Sequence, residues 1–148
     1  MPNFWLFKSE AETWSWKQQQ GRGSKGEPWT GVRNYGARNH MRAMKLGDLG
    51  FFYHSGQERA VVGIVRVCGA VHPDATDDSG KWECVDIEAV ATLPTPVSLD
   101  TIKILPGLSE MVLVKNSRLS VQPVTALEWN AVCSLAGFDP HKMQPAKQ

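Results

Sequence analysis

The apolar positions of the chain fall into short runs that predict strands, separated by segments rich in glycine and polar residues. An aromatic run from Phe4 to Phe7 predicts a buried strand, and Leu49 to His54 predicts a second one. The β-branched run from Ala60 to Val71 predicts a long central strand, with bulges or bends at Gly63 and Gly69.

A second group of apolar runs completes the predicted sheet. Apolar and polar residues alternate from Val85 to Ala91, so this segment is predicted to be half-buried. It should form a hairpin with the central strand across the turn-rich segment His72 to Lys81. Pro94 and Pro96 predict a turn. Two shorter runs are further strand candidates: Met111–Val114 and Val121–Val124.

Helical spacing occurs in two places. From Asn34 to Lys45, apolar side chains share one helical face beside a basic stripe, and Gly47 is predicted to end the helix. Thr125 and Glu128 predict the capping box of a final helix that ends at Gly137. The apolar faces are predicted to be Ala37, Met41 and Met44, beside the basic residues Arg38, Arg42 and Lys45, and in the final helix Leu127, Ala131 and Leu135.

These elements, in a chain of 148 residues, predict one α+β domain built around a small, strongly bent sheet or barrel. The polar stretch from Gln18 to Pro28 is predicted to be a flexible loop, and residues 140–148 a flexible tail. No apolar run approaches the roughly 18 residues that a membrane helix needs. The N-terminus lacks the features of a signal peptide, so we expect a cytoplasmic protein. We also expect it to be soluble and monomeric and not to bind membranes.

Charge and cysteine content exclude several classes of function. The net charge is only +1, so any electrostatic attraction to a nucleic-acid backbone must be local. Cys68, Cys84 and Cys133 are too widely spaced to suggest a zinc site or a disulfide framework, and are predicted to be small core residues. No phosphate-binding loop or dinucleotide motif is present. The sequence therefore predicts neither a metal nor a cofactor.

Tryptophan is enriched, with six residues in the chain and five of them in the first 82 positions. Trp5 is predicted to be a core residue, and Trp14 and Trp16 to brace the neighbouring loop. Trp29 begins a segment, ending at Asn39, that gathers two aromatics, two arginines and two asparagines. Such groups stack on bases, bind base edges and hold phosphate. A capped helix with a solvated basic face has the same composition, so spacing alone leaves both interpretations open.

Polar side chains at strand ends supply further candidates. Tyr53, His54 and Ser55 end an apolar strand, a position from which side chains can reach a cavity mouth. We do not expect His54 and Ser55 to be a catalytic pair, because neighbouring side chains on a strand point to opposite faces. Four other polar residues are expected to border the same cavity: Lys8, Ser9, Arg118 and Ser120.

Taken in order, five blocks closely resemble the EVE domain family, which is PUA-like, includes thymocyte nuclear protein and is similar in fold to YTH domains. The blocks are W-L-F-K-S-E at 5–10, W-T-G-V-R-N-Y-G-A-R-N-H-M-R at 29–42, G-D at 47–48 with Y-H-S at 53–55, V-G-I at 62–64 and R-L-S-V-Q-P at 118–123. The resemblance implies a PUA-like bent mixed sheet or pseudo-β-barrel with peripheral helices. It also implies a cleft that binds a modified base, methylated or hydroxymethylated, in DNA or RNA, without chemistry.

The resemblance places the predicted ligand-binding residues in or beside that cleft. They are Lys8, Ser9, Trp29, Val32, Arg33, Asn34, Tyr35, Arg38, Asn39, Tyr53, His54, Ser55, Arg118 and Ser120, with Trp82 as a further candidate. We expect a flipped or single-stranded base to stack on Trp29 or Tyr53. Asn34, Asn39 or Ser55 would bind its edge, and the basic side chains would neutralise nearby phosphate.

Two other functions fit the same residues. A small PUA-like hydrolase would act on a modified nucleoside, using residue types such as Lys8, Glu10 and Tyr53. A general RNA-binding module would recognise the shape of a helix without a base pocket. The first predicts turnover and the second predicts no preference for a modified base.

Overall fold

The computed structural model describes residues 3–116 and 118–140. Its strands are β1 (Phe4–Glu10), β2 (Glu27–Pro28), β3 (Leu49–Ser55), β4 (Ala60–Pro73), β5 (Glu83–Ser98) and β6 (Val121–Val124). Its helices are α1 (Trp16–Gly21), α2 (Tyr35–Ala43), α3 (Leu99–Ile104), α4 (Val112–Lys115) and α5 (Ala126–Leu135), with a 3₁₀ turn at Gly23–Lys25. The strands form one open sheet in the order β2-β5-β4-β3-β1-β6. The predicted α+β class, a mixed sheet with peripheral helices, is confirmed. The predicted tail lies outside the described residues from position 141 onward.

β1 lies inside the sheet because it pairs on both sides. It runs parallel to β3 and antiparallel to β6, where Phe4 lies opposite Val124. The other pairings are antiparallel, so the sheet is mixed. The carboxyl ends of β1 and β3 therefore meet at one end of the sheet, where Ser9 lies opposite His54.

The β4–β5 hairpin forms the centre of the sheet, as predicted. Its register shifts beside Gly63 and Gly69, which confirms the predicted irregularities. A Cβ atom at Gly63 would lie 2.4 Å from the indole of Trp16, so glycine is what allows this ring to pack flat on the strand. The Trp16 Nε1 donates a hydrogen bond to Thr92 across the hairpin at 2.9 Å.

The turn predicted at Pro94 and Pro96 is wrong, because β5 continues through both prolines to Ser98. The pairing with β4 skips from Thr92 to Val97, so the prolines lie in an irregular stretch where no ladder hydrogen bond requires their missing N–H groups.

Alternation along the strands separates the core into two layers, one on each side of the sheet. The first core layer contains Trp5, Phe7, Trp16, Trp29 and Phe52. The second core layer contains Leu6, Phe51, Tyr53, Ile64 and Trp129. Trp5 is core, as predicted, and its Nε1 donates to the buried carboxylate of Asp48 at 3.0 Å. Cys84 and Cys133 are buried core residues, as predicted, whereas Cys68 is half-buried.

The flexible loop predicted from Gln18 to Pro28 is wrong. Ser15 and Gln18 form a capping box that starts α1, a signal of the S-x-x-Q type that the sequence contains. Trp16 and Gln19 of this helix are buried, so tertiary packing fixes a segment that its polar composition made look mobile.

Two details of α2 differ from the prediction. Ala37, Met41 and Met44 are buried as expected, but the helix ends at Ala43 because Met44 is already extended. Gly47 is therefore not a helix cap. It lies in the turn before β3 and donates its N–H to the carbonyl of Val67 at 2.9 Å.

The strand predicted at Met111–Val114 is wrong, because Val112–Lys115 forms the short helix α4. A run of four apolar residues does not distinguish the two structures. The amides of Val114 and Lys115 both donate to the carbonyl of Met111, which fixes the helical alternative.

The capping box of α5 is confirmed, but its apolar face is not the predicted one. Leu127 is 83% exposed, whereas the buried stripe contains Trp129, Val132 and Cys133. Trp129 stacks on Phe51 at a centroid distance of 4.1 Å, and this contact orients the helix. Within residues 3–116 and 118–140, none of the helices has the length and apolar character needed to cross a membrane.

Candidate nucleic-acid interface

A cleft of about 700 Å³ opens where the carboxyl ends of β1 and β3 meet. It is large enough for one nucleotide, since ligand pockets are typically about 300–1,000 Å³. Its walls come from the end of β1 and the turn after it, from β2 and the following loop, and from two shorter segments. The lining residues are Lys8, Ser9, Glu10, Thr13, Trp14, Glu27, Pro28, Trp29, Thr30, Gly31, Val32, Arg33, Ser55, Gly56, Arg118 and Ser120.

The loop from Trp29 to Arg33 is held in place by backbone hydrogen bonds. The N–H of Trp29 donates to the carbonyl of Val85 at 2.8 Å, which continues the short pairing of β2 with β5. Gly31 has a φ of +85°, a conformation that suits glycine and turns the chain toward Asp74. The Gly31 N–H then donates to that carboxylate at 2.9 Å.

Asp74 is a buried anchor for this loop. Its side chain is fully buried and accepts hydrogen bonds from Gly31, Arg33 and Thr76. Burial by itself would raise the pKa of Asp74, but the hydrogen bonds from Thr76, Gly31 and Arg33 outweigh it and hold the pKa below its ordinary value. The carboxylate is therefore ionised at neutral pH and fixes one wall of the cleft.

Trp29 borders the cleft as predicted, but it is 7% exposed and belongs to the first core layer. Its ring packs edge-on against Phe7 and Phe52, at centroid distances of 5.4 and 5.7 Å. Trp29 consequently supplies an apolar floor to the cleft, and does not present a free ring face on which a base could stack.

Trp14 lines the cleft, although its place in the sequence predicted only that it braces the neighbouring loop. It is half-buried in the wall of the cleft, and its Nε1 donates to Gln19 of α1 at 2.9 Å. The capping box at Ser15 was the available signal, because it places Trp14 directly before a helix that is docked on the sheet. Trp14 is the better candidate for a stacking surface.

Two cationic residues, Arg33 and Arg118, line the cleft. Lys8 lines it as well, but its ammonium lies beside Tyr53 of the second core layer. Burial lowers the pKa of Lys8, whose Nζ lies 5.9 Å from the ring centroid of Tyr53. The carboxylates of Glu10 and Glu27 face the same space, and Glu27 pairs with Arg22 at 3.1 Å. The cleft is therefore mixed in charge, with donors and acceptors in one cavity.

Neutral hydroxyl groups complete the polar lining. Ser9, Ser55 and Ser120 all border the cleft, as predicted. The backbone N–H of Lys8 donates to the carbonyl of Ser120 at 2.9 Å, so the segment carrying Ser120 and Arg118 is tied to β1.

Tyr53 and His54 are not among the residues that line the cleft. Tyr53 points to the second core layer and is 2% exposed, so no base can stack on it. His54 points to the first layer, where its Nε2 accepts a hydrogen bond from the Trp16 N–H at 2.9 Å. Its Nδ1 contacts Glu58, so both ring nitrogens have partners other than Ser55.

Five more predicted residues lie outside the cleft. Asn34 caps α2 by accepting a hydrogen bond from the Ala37 N–H at 3.0 Å, so its carbonyl serves the helix. The remaining four form an outer surface at the start of α2: Tyr35, Arg38, Asn39 and Trp82. The sequence shows that Tyr35, Arg38 and Asn39 are neighbours at a helix start, but it does not show that Trp82 joins them or that all four lie outside the cleft.

Comparisons with known proteins point to one family. A family model described as EVE domain matches residues 3–135. Thymocyte nuclear protein 1 of Rattus norvegicus is 33% identical, over 95% of this chain and 76% of the relative. A solved structure of a protein from Agrobacterium tumefaciens is 56% identical with a TM-score of 0.92, covering 96% of this chain and 99% of that one.

Two further structures were solved with nucleic acid. Human THYN1 protein, in complex with DNA containing 5-methylcytosine, is 33% identical with a TM-score of 0.87, over 93% of this chain and 99% of that one. The YTH domain of Zygosaccharomyces rouxii MRB1, in complex with N6-methyladenosine RNA, is 15% identical with a TM-score of 0.56, over 98% of this chain and 90% of that one. The second likeness is one of fold alone.

Proposed function

This chain belongs to the EVE domain family, and on that basis we propose that it binds a C5-methylated cytosine of DNA in the cleft without reacting with it. One observation carries the proposal: the lining of the cleft combines the aromatic residues Trp14 and Trp29 with the cationic residues Arg33 and Arg118. Aromatic rings suit a base and cations suit the phosphates that flank it.

The relative solved with DNA supplies the identity of the base. Human THYN1 protein was crystallised with DNA containing 5-methylcytosine, and it has the same fold at 33% identity. We extend that ligand to this chain because its cleft offers matching chemistry. Glu10 or Glu27 can accept a hydrogen bond from the cytosine amino group, as carboxylates do.

The base reaches the cleft only after it leaves the duplex stack. Unstacking requires a few kcal/mol, and stacking on an aromatic side chain returns about 1–3 kcal/mol. Trp14 is half-buried and supplies the ring, while the apolar floor at Trp29 accommodates the methyl group. Affinity for an isolated nucleotide is therefore modest, and phosphate contacts in an oligonucleotide increase it.

Fluorescence anisotropy tests the proposal. Four oligonucleotides that are identical except for one base, carrying cytosine, 5-methylcytosine, 5-hydroxymethylcytosine or N6-methyladenine, are titrated with the protein. Preferential binding of the 5-methylcytosine strand is expected. Trp14→Ala should abolish this preference, whereas Leu127→Ala, at an exposed apolar residue of α5, should leave it intact. Equal affinity of the wild-type protein for all four strands contradicts the proposal.

The absence of chemistry is tested separately. Both ring nitrogens of His54 contact groups other than Ser55, which supports a role in packing for His54. Incubating the protein with the 5-methylcytosine strand, followed by mass spectrometry, should return the strand unchanged. Any product that depends on protein concentration would favour the hydrolase alternative.

A further inference from the structure

An exposed aromatic pair lies outside the cleft at the start of α2. Tyr35 is the first residue of that helix and Trp82 directly precedes β5. Their rings stack with a centroid distance of 4.8 Å and an interplanar angle of 28°. Tyr35 nevertheless remains 55% exposed, so part of its side chain is open to solvent and to a ligand.

Arg38 lies beside both rings of this pair. Its guanidinium carbon is 4.7 Å from the Tyr35 centroid and 5.7 Å from the Trp82 centroid. The guanidinium donates to the carbonyl of Lys81 and to the side-chain oxygen of Asn39, and neither acceptor is charged. Its Nε is buried and makes no hydrogen bond with any residue that the structure describes. Among the described residues no carboxylate pairs with Arg38, so its positive charge is not neutralised by an ion pair there.

The carboxylates near the pair are already engaged. Asp74 binds the Gly31–Arg33 loop, and Asp77 accepts hydrogen bonds from Ser79 and from the Trp82 N–H. Asp74 therefore binds the loop before α2 and Asp77 the loop that carries Trp82, and neither carboxylate pairs with Arg38. A stacking ring beside an un-neutralised guanidinium is the combination that binds a nucleobase and its phosphate.

Arg33 connects this surface to the cleft. It lines the cleft, and its guanidinium carbon lies 5.7 Å from the Trp82 centroid. A strand that leaves the cleft past Arg33 therefore arrives at Tyr35, Trp82 and Arg38, which we call the aromatic platform.

We propose that the aromatic platform binds the unpaired nucleotide next to the base held in the cleft, on the same strand. The neighbouring base stacks on the exposed part of Tyr35, and Arg38 binds the phosphate between the two nucleotides. The proposal rests on the proposed function, because it names the second nucleotide of the same ligand. It explains how a cleft with room for one nucleotide would bind an oligonucleotide more tightly than a mononucleotide.

A purely structural role is the alternative. The Tyr35–Trp82 contact joins the loop before β5 to α2, and this brace could position the cleft without touching the ligand. The two roles differ in one measurable respect, since only direct stacking makes the effect of Tyr35 depend on the neighbouring base.

A double-mutant cycle separates them. Binding is measured for 5-methyl-dCMP, for an oligonucleotide containing 5-methylcytosine, and for the same oligonucleotide with an abasic site on the 5′ or the 3′ side of that base. Tyr35→Ala is expected to weaken binding of the intact oligonucleotide about tenfold and to leave 5-methyl-dCMP unaffected. One abasic site should weaken wild-type binding by a similar factor and have little effect on Tyr35→Ala.

Controls make each outcome decisive. Leu46→Ala, at an exposed apolar residue shortly after α2, should behave as wild type. Arg38→Gln should weaken binding of the intact oligonucleotide, because it removes the cation that binds the phosphate between the two nucleotides. If Tyr35→Ala weakens binding of 5-methyl-dCMP and of the oligonucleotide equally, the aromatic platform does not bind the second nucleotide. The same conclusion follows if the effect of Tyr35→Ala is unchanged by an abasic site on either side. Neither result would contradict binding of the methylated base in the cleft. If the wild-type protein binds neither ligand, the proposed function fails and the platform fails with it.

Discussion

The carboxylate of Asp74 is fully buried and pairs at 3.2 Å with the guanidinium of Arg33, which is 39% exposed. One partner belongs to the core and the other to the rim of the cleft. The same carboxylate binds the Gly31 N–H, so this pair fixes the path of the loop that runs from Trp29. The shape of the cleft therefore depends on a buried residue that does not line it.

Asp74→Asn should destabilise the fold by about 1–3 kcal/mol. An amide cannot accept all the hydrogen bonds that the carboxylate receives, and its NH₂ group would face other donors. Urea denaturation measures the loss. Asp78→Asn is the matched control, because Asp78 is an exposed carboxylate of the same loop. Equal stability of the two variants would contradict the anchoring role of Asp74.

Stability should fall as the solution is acidified below pH 4. Hydrogen bonds from the side chain and backbone of Ser79 lower the pKa of Asp77 from 3.8 to about 2. Because the pKa is lower in the folded state, the ionised carboxylate stabilises the fold above pH 3.8, and this contribution disappears as the pH falls toward 2. Asp74 shifts in the same direction. The free energy of unfolding of Asp77→Asn should decline less across this interval than that of wild type, and an identical decline would refute the assignment.

Gly63→Ala should displace the helix that follows Trp14. The new Cβ would lie 2.4 Å from the ring of Trp16, so the indole must move or the strand must shift. Overpacking of this kind destabilises proteins by about 1–3 kcal/mol. The melting temperature should fall, and the affinity for the oligonucleotide should decrease. Gly107→Ala serves as control, since nothing lies within 4 Å of a Cβ there, and comparable behaviour of the two variants would count against the packing argument.

Arg118→Gln should reduce the salt dependence of DNA binding. If Arg118 neutralises one phosphate, its loss should lower the slope of log K against log salt concentration by about 0.7–0.9. The slopes of wild type, Arg118→Gln and Lys103→Gln are compared between low and physiological salt. Lys103 lies on α3 and does not line the cleft, so the salt-dependence slope of Lys103→Gln should match that of wild type. An unchanged slope for Arg118→Gln would place that side chain outside the interface.

Much of the fold follows from local patterns in the sequence. The strands that begin at Phe4, Leu49 and Ala60 have apolar or β-branched runs, and these runs are largely buried in the structure, as their pattern predicts. The wrong predictions concern segments whose local pattern fits two structures equally well, so that tertiary packing decides between them. The run Met111–Val114 is compatible with a strand or a helix. Which face of α5 is buried is decided by the stacking of Trp129 on Phe51, a contact between residues far apart in the sequence.

The site was less predictable than the fold. Of the predicted residues, those at the end of β1 and in the loop after β2 reach the cleft, as do Ser55, Arg118 and Ser120. Sequence spacing cannot reveal that Tyr53 points to the opposite side of the sheet from Trp29, because the alternation along β3 has no absolute direction until the strand pairs. It also cannot show that Asp74 folds back on the loop before α2.

The interior position of β1 also has a consequence for synthesis on the ribosome. The strand that is made early is paired on one side with β6, and Phe4 lies opposite Val124. At about 5–20 residues per second, translation of the 120 positions between them takes roughly 6–24 s. During that time the aromatic stretch at Trp5 and Phe7 emerges without its final neighbour. One edge of β1 therefore stays unpaired until β6 has been made.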